Sequence, residues 1–460
     1  MPWTCARAVV ATSRTSVSSC TSGSWDSTHC GTSVPRITCT SSCRCGRPGG
    51  RRYRPAPGAA SVEALHLRKA AMLTVRPGSR QVLRVAALVA AIAPLSFIAT
   101  RLGRSTLLPS APPQACVSQV SVRAPVEYAA AADRARQLAC ERLAQRIPGF
   151  QIAVAVDGRL VWSASFGYAD LEHQAPVTAE TRFRIGSVSK PLTADAVVQL
   201  VDAHRLDLDA PVQRYVPSFP DKGAPITTRL LAGHLAGIRH YRDDEFLLNR
   251  HFATVTEGLA IFKDDSLLSS PGTRFSYSTY GWNLISAVVE GAAGQDFLTY
   301  MQRHVFGPLR MAHTAADKGD SVIPGRTRFY QRDSISGEYR IAPAVDNSYK
   351  WAGGGFLSTA EDLVRFGSAH VAPGYLPAAS LDLLFTSQRT RAGQETGYGV
   401  GWFLRVDGRG HRVAYHGGGS VGGTTAFLVD RDARIVFALT SNLTDAPLSR
   451  VQEIPQLFER

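Results

Sequence analysis

The sequence predicts an α+β fold: an antiparallel sheet built from both ends of one domain, flanked by helices, with an all-helical insertion between the strand groups. Three observations carry that expectation. Strand-like segments cluster at the two ends of the region that follows residue 128, helices and long loops fill the middle, and no alternating βαβ units announce a parallel sheet.

Taken in order, an Ala-rich run from Tyr128 to Arg146 has helical character and opens the folded region. Gln151–Val156 and Arg159–Phe166 read as strands joined at Asp157-Gly158, a dipeptide suited to a two-residue hairpin turn. From Ser187 to His204, the side chains of Ala194, Val197, Val198 and Val201 fall on one helical face. Ser358 and Glu361 have the spacing of a helix capping box. Thr424–Val429 and Arg434–Thr440 form the second strand pair, and a last helix is expected from about Leu448 to the C-terminus.

The formal charge of +14 suggests nucleic acid or an anionic membrane until it is divided along the 460 residues. Of the 51 Lys and Arg, 15 lie in residues 1–104, against two of the 37 acidic side chains, Asp26 and Glu63. The remaining chain is therefore nearly neutral and carries no footprint for nucleic acid. Six of the eight cysteines fall in the first 45 residues without the paired spacing of a zinc site, leaving Cys116 and Cys140 beyond them. Residues 1–71 read as a disordered leader or one that is not translated, since Met72 opens what resembles a fresh start. Residues 72–104 form a basic segment with Arg76, Arg80 and Arg84, followed by an apolar run from Val85 to Thr100. That run falls short of the roughly 20 residues of a membrane-spanning helix and suits a signal peptide or anchor. It predicts a membrane partner and an extracytoplasmic place, the bacterial periplasm. An Arg- and Ser-rich leader also suits a mitochondrial presequence, which makes the intermembrane space the alternative. Residues 105–127 read as a linker, and 128–460 as the catalytic domain.

Three segments carry chemistry. In Arg184-Ile-Gly-Ser187-Val-Ser-Lys190, serine and lysine are three apart at the start of a predicted helix and share a face. A serine there sits near the positive helix end, and a lysine of lowered pKa can take its proton. The chain has 45 Arg and only six Lys, yet Lys stands where deprotonation would matter, a task arginine cannot perform. Second, Tyr277 in Phe275-Ser-Tyr-Ser-Thr279 is a candidate proton relay that would ionise if held between two cations. Third, Tyr415-His416-Gly-Gly-Gly419 precedes a strand, and its glycines leave room for a substrate and a free N–H as oxyanion donor. The same stretch contains a literal G-x-S-x-G, Gly418 to Gly422, but a strand follows it and no histidine comes after. A nucleophile elbow needs the reverse on both counts. The histidines do not pair with acids at metal-ligand spacing, and no dinucleotide or P-loop glycine signature occurs, so neither metal nor cofactor is expected.

In this order the three segments resemble the penicillin-recognising serine hydrolases: class C β-lactamases, DD-peptidases and related esterases. The motifs of that family are Ser-x-x-Lys, Tyr-x-Asn, and Lys-Thr-Gly or His-x-Gly, matched here by Ser187 and Lys190, by Tyr277, and by His416-Gly417-Gly418. Further segments, among them Leu235–Tyr241 and Val345–Thr359, are similar to a membrane-associated mitochondrial branch whose members self-associate into filaments. The resemblance implies a β-lactamase/DD-peptidase-like fold, catalysis by Ser187, Lys190 and Tyr277, and a substrate and oxyanion site at His416, Gly418, Gly419 and Thr279. It also implies a small-molecule or peptide substrate. Two departures stand out. Thr279 replaces the asparagine of Tyr-x-Asn, and His416 replaces the lysine whose charge would hold a β-lactam carboxylate. Only 33 residues, Arg242 to Arg274, occupy the interval where the mitochondrial branch carries a long charged insertion, which weakens the implied self-association.

Overall fold

The two strand groups expected at the ends of the domain meet in one antiparallel sheet. The computed structural model describes residues 116–144 and 146–459. The main strands of this sheet are β1 (Ser118–Val122), β2 (Gly149–Val156), β3 (Arg159–Asp170), β4 (Phe403–Val406), β5 (Arg412–Ser420), β6 (Gly423–Asp430) and β7 (Ile435–Ser441). They lie in the order β1-β3-β2-β7-β6-β5-β4, and a short Ala175–Pro176 strand adds to β3. β2 and β7, from opposite ends of the domain, pair at the centre with Ala153 opposite Ala438. The hairpin between β2 and β3 turns where expected: Asp157 and Gly158 both have positive φ, as a turn matching the strand twist requires.

Strict alternation along the central strands divides the interior in two. Phe150, Ile152, Val154, Phe437 and Leu439 face helix α1 (Ala129–Arg142) and the C-terminal turns. The smaller Ala153, Ala155 and Ala438 face the opposite layer, which holds α2 (Ser189–Asp202), α3 (Thr279–Ala293) and α4 (Ala360–Ser368). Small side chains on that face let helices approach closely. Gly367 of α4 is pressed onto β7, where a Cβ would stand 2.5 Å from Val436. α3 is buried nearly all round and is the axis of the helical insertion. Ser278 caps it by accepting from the Gly281 N–H, and Gly294 ends it in the left-handed conformation. That cap fixes Tyr277 and Thr279 on either side of the helix start.

Three expectations need correction. Ser118–Val122, read as linker, pairs with β3 as an edge strand, so the fold starts before Tyr128. The expected C-terminal helix is two 3₁₀ turns, Leu448–Val451 and Ile454–Phe458, because Pro455 cannot continue a helical ladder. The cap of α4 is Thr359, which accepts from the Asp362 N–H, one residue later than the Ser358 box. The leader, the apolar run 85–100 and most of the linker lie outside the described residues. Among those described, no helix is long and apolar enough to cross a membrane.

A disulfide between Cys116 and Cys140, with Cα atoms 5.6 Å apart, ties β1 to α1. The sequence reading left both cysteines unassigned. Closing a loop with a separation of 24 residues restricts the unfolded chain by about 3 kcal/mol. Replacing both cysteines by alanine is expected to lower the unfolding free energy by about that amount, read as an earlier denaturant midpoint. An unmoved midpoint would show that the bond contributes nothing.

Candidate active site

Ser187 sits in a 3₁₀ turn, Gly186–Val188, that runs directly into α2. The turn lies against the glycine-rich end of β5. β4 pairs with β5 only as far as Tyr415, so Gly417–Ser420 have no strand on that edge. Gly186 has φ of +51°, and a Cβ there would fall 2.4 Å from the Gly419 carbonyl oxygen, so only glycine permits this approach. Gly418 is held as closely, with a Cβ position 1.9 Å from the Ile185 oxygen. The position of Gly419, by contrast, is open to the cleft.

Lys190, one helical turn after Ser187, is fully buried. Its Nζ lies 3.0 Å from Ser187 Oγ, 3.2 Å from Thr279 Oγ1 and 2.6 Å from the Gly353 carbonyl. No carboxylate touches it among the described residues. Burial, aided by repulsion from Lys350, holds its pKa well below the usual lysine range. A neutral amine has two hydrogens to donate, to Thr279 and Gly353, and one lone pair left for the Ser187 hydroxyl.

Tyr277 packs with its ring centroid 4.8 Å from Lys190 Nζ, and its hydroxyl hydrogen-bonds with Ser187. Burial raises its pKa, and the bond to Ser187 only partly opposes that. The raised pKa disfavours ionisation of Tyr277 and leaves it as a candidate proton relay. His416 is buried, and desolvation followed by repulsion from Lys190 pushes its pKa down to about 3. Its Nδ1 lies 2.7 Å from the Gly417 carbonyl, which must accept, so Nε2 accepts from the Tyr398 hydroxyl at 3.1 Å. His416 is thus a neutral, positioned ring behind the cleft.

The cleft in front of Ser187 has a volume of about 320 Å³. Thr279 and Gly419 line it, together with His240, Tyr241, Phe246, Lys350, Gly353, Ser420 and Asp445. The Thr279 substitution is less disruptive than expected, since its hydroxyl still holds Lys190 and its N–H donates to His240 Nδ1 at 3.2 Å. His240 is kept neutral, its pKa lowered to about 4 by burial and by Lys190 and Lys350. Behind Tyr277, the His234 ring packs at 4.3 Å between centroids, tilted by 35°, while its Nδ1 accepts from the Ser278 N–H. Two residue groups off the cleft bring acids and histidine together, Asp170/Glu172/His173 and Asp407/His411/Asp430, but arginines already pair with Asp170, Glu172, Asp407 and Asp430.

Residues 135–459 match the sequence profile of the family described as Beta-lactamase. The serine beta-lactamase-like protein LACTB, mitochondrial, of Homo sapiens is 34% identical over 378 residues, covering 61% of this chain and 68% of that protein. Penicillin-binding protein 4* of Bacillus subtilis is 26% identical over 306 residues, covering 63% of this chain and 67% of its own. Among solved structures, the octameric penicillin-binding protein homologue from Pyrococcus abyssi superposes with a TM-score of 0.61 at 25% identity, over 70% of this chain and 76% of that one. Together with the antiparallel sheet and the Ser187–Lys190 pair in front of it, these matches establish that the chain belongs to the beta-lactamase family.

Proposed function

We propose that this protein is a serine hydrolase that forms an acyl-enzyme on Ser187 and acts as a peptidase or esterase. The observation that carries this reading is the buried Lys190 amine, 3.0 Å from Ser187 Oγ and without a carboxylate partner among the described residues. Lys190 takes the Ser187 proton as Oγ attacks a carbonyl carbon. The N–H groups of Ser187 and Gly419 receive the developing oxyanion. Tyr277, which keeps its own proton at neutral pH, passes it to the leaving group and is reprotonated from Lys190. Water then cleaves the ester by the reverse relay. His416 keeps its family position but supplies no charge there, so β-lactam turnover is expected to be slow beside ester or peptide cleavage. The Cys116–Cys140 bond supports an oxidising compartment, either the periplasm or the mitochondrial intermembrane space. A scaffold role with a vestigial site has less support, because Ser187, Lys190 and Tyr277 are all present and in contact.

A fluorophosphonate probe is expected to label the wild-type protein covalently and to leave Ser187→Ala unlabelled. Equal labelling of both would assign the nucleophile elsewhere.

A further inference from the structure

Lys350 is the second fully buried lysine of the domain, and the mechanism above leaves it unused. It ends the 3₁₀ turn Ser348–Lys350, three residues before the Gly353 carbonyl that holds Lys190. Its relative exposure is 2%, yet it lines the cleft together with Ser187. Among the described residues its Nζ makes no hydrogen bond and no ion pair. Three aromatic rings surround it instead: Phe246 at 4.7 Å, Tyr349 at 5.0 Å and Tyr241 at 5.6 Å from Nζ to the ring centroid. Aromatic faces steady a cation but leave its N–H donors unsatisfied.

The carboxylates that might have answered it are engaged elsewhere. Asp317 accepts from Arg184 at 2.6 Å, from Asn347 at 2.8 Å and from Arg326 at 3.4 Å. Glu245 accepts from both arms of Arg239 and from the Tyr280 hydroxyl. The other titratable groups that act on Lys350 or are acted on by it are Arg184, Lys190 and His240, none of them anionic. Asp445 stands at the mouth of the cleft in contact with solvent, where water screens it.

We propose that Lys350 is a specificity-determining residue that binds a carboxylate of the substrate close to the scissile carbonyl. This deepens the acyl-enzyme reading and rests on it. The substrate class is then a peptide or ester with an acidic group beside the bond that is cut, and the aromatic rings around Lys350 hold the aliphatic part of that group. The carboxylate has two sources, the side chain of an acidic residue or a free C-terminus.

The test compares kcat/KM within two substrate pairs: 4-nitrophenyl esters of N-acetylglutamate and N-acetylglutamine, and an acetylated dipeptide with a free or amidated C-terminus. Wild-type protein is expected to favour the charged member of one pair by about tenfold or more, and which pair it is identifies the source. In Lys350→Met that ratio falls to within about threefold of unity, and in Lys350→Arg it persists. A second measurement needs only the wild type. Because burial and the charge of Arg184 lower the Lys350 pKa to about 7, the ratio declines as pH rises from 7 towards 10. Each member of a pair uses the same base, so Lys190 cancels from the ratio. Wild-type protein that favours neither charged substrate, or a preference undiminished in Lys350→Met, overturns the proposal. If fluorophosphonate labels Ser187 while the ratios stay flat, only the role of Lys350 falls; absence of labelling removes the acyl-enzyme reading itself.

Discussion

Lys190→Met is expected to lower kcat/KM for an activated ester by about a thousandfold, the contribution of a well-placed general base. The change keeps the length and apolar stem of the side chain and removes only the group that contacts Ser187 Oγ, Thr279 and Gly353. Lys190→Arg is expected to do no better, because guanidinium does not release its proton in this pH range. Wild-type kcat/KM should rise with pH while the Lys190 ammonium loses its proton and then level off. Its buried position places that rise well below the range of an ordinary lysine. In the methionine variant the rise should disappear along with the activity. Retention of a tenth or more of wild-type kcat/KM would remove Lys190 from the mechanism and leave Tyr277 as the proton acceptor. That outcome would conflict with Tyr277, whose raised pKa keeps it protonated.

How much of this site could be read from the chain depends on how local each feature is. Ser187 and Lys190 lie within one helical turn, so their spacing alone places them together. The Asp157-Gly158 turn and the strand pairs are equally local, and they appear as expected. Val120 and Val122 alternate in the same way, but this edge strand buries little and Val120 is exposed, so β1 carries no hydrophobic signal that separates it from a linker. Charge states were another matter. His416 and Tyr277 were found as residues, yet their protonation depends on desolvation by side chains distant in sequence, such as Tyr398. Lys350, His240 and Tyr241 come from two separate loops that meet only once α3 and the sheet are assembled. Nothing in the spacing of Val345–Thr359 distinguishes a buried lysine from a solvated one. A backbone carbonyl such as that of Gly353 has no side-chain signature at all.

Lys350→Met is expected to stabilise the folded protein by several kcal/mol, the reverse of what removing a buried core side chain does. A lysine whose pKa falls from 10.5 in the unfolded chain to about 7 in the fold binds its proton more weakly when folded. Folding is therefore penalised wherever the unfolded chain still holds that proton. The penalty is fully present below about pH 7, where it amounts to roughly 5 kcal/mol, and it fades as pH approaches 10.5. Methionine has no proton to lose, and its thioether fits among Phe246, Tyr349 and Tyr241. The gain over wild type should accordingly be largest near pH 6.5 and shrink to about 1 kcal/mol by pH 9.5, read from denaturant midpoints at the two pH values. A variant less stable than wild type at pH 6.5, or a gain that does not change with pH, would mean that the buried ammonium is compensated by a partner and costs the fold nothing. If the gain is found, an uncompensated buried charge is being retained against stability, as expected of a group kept for what enters the cleft.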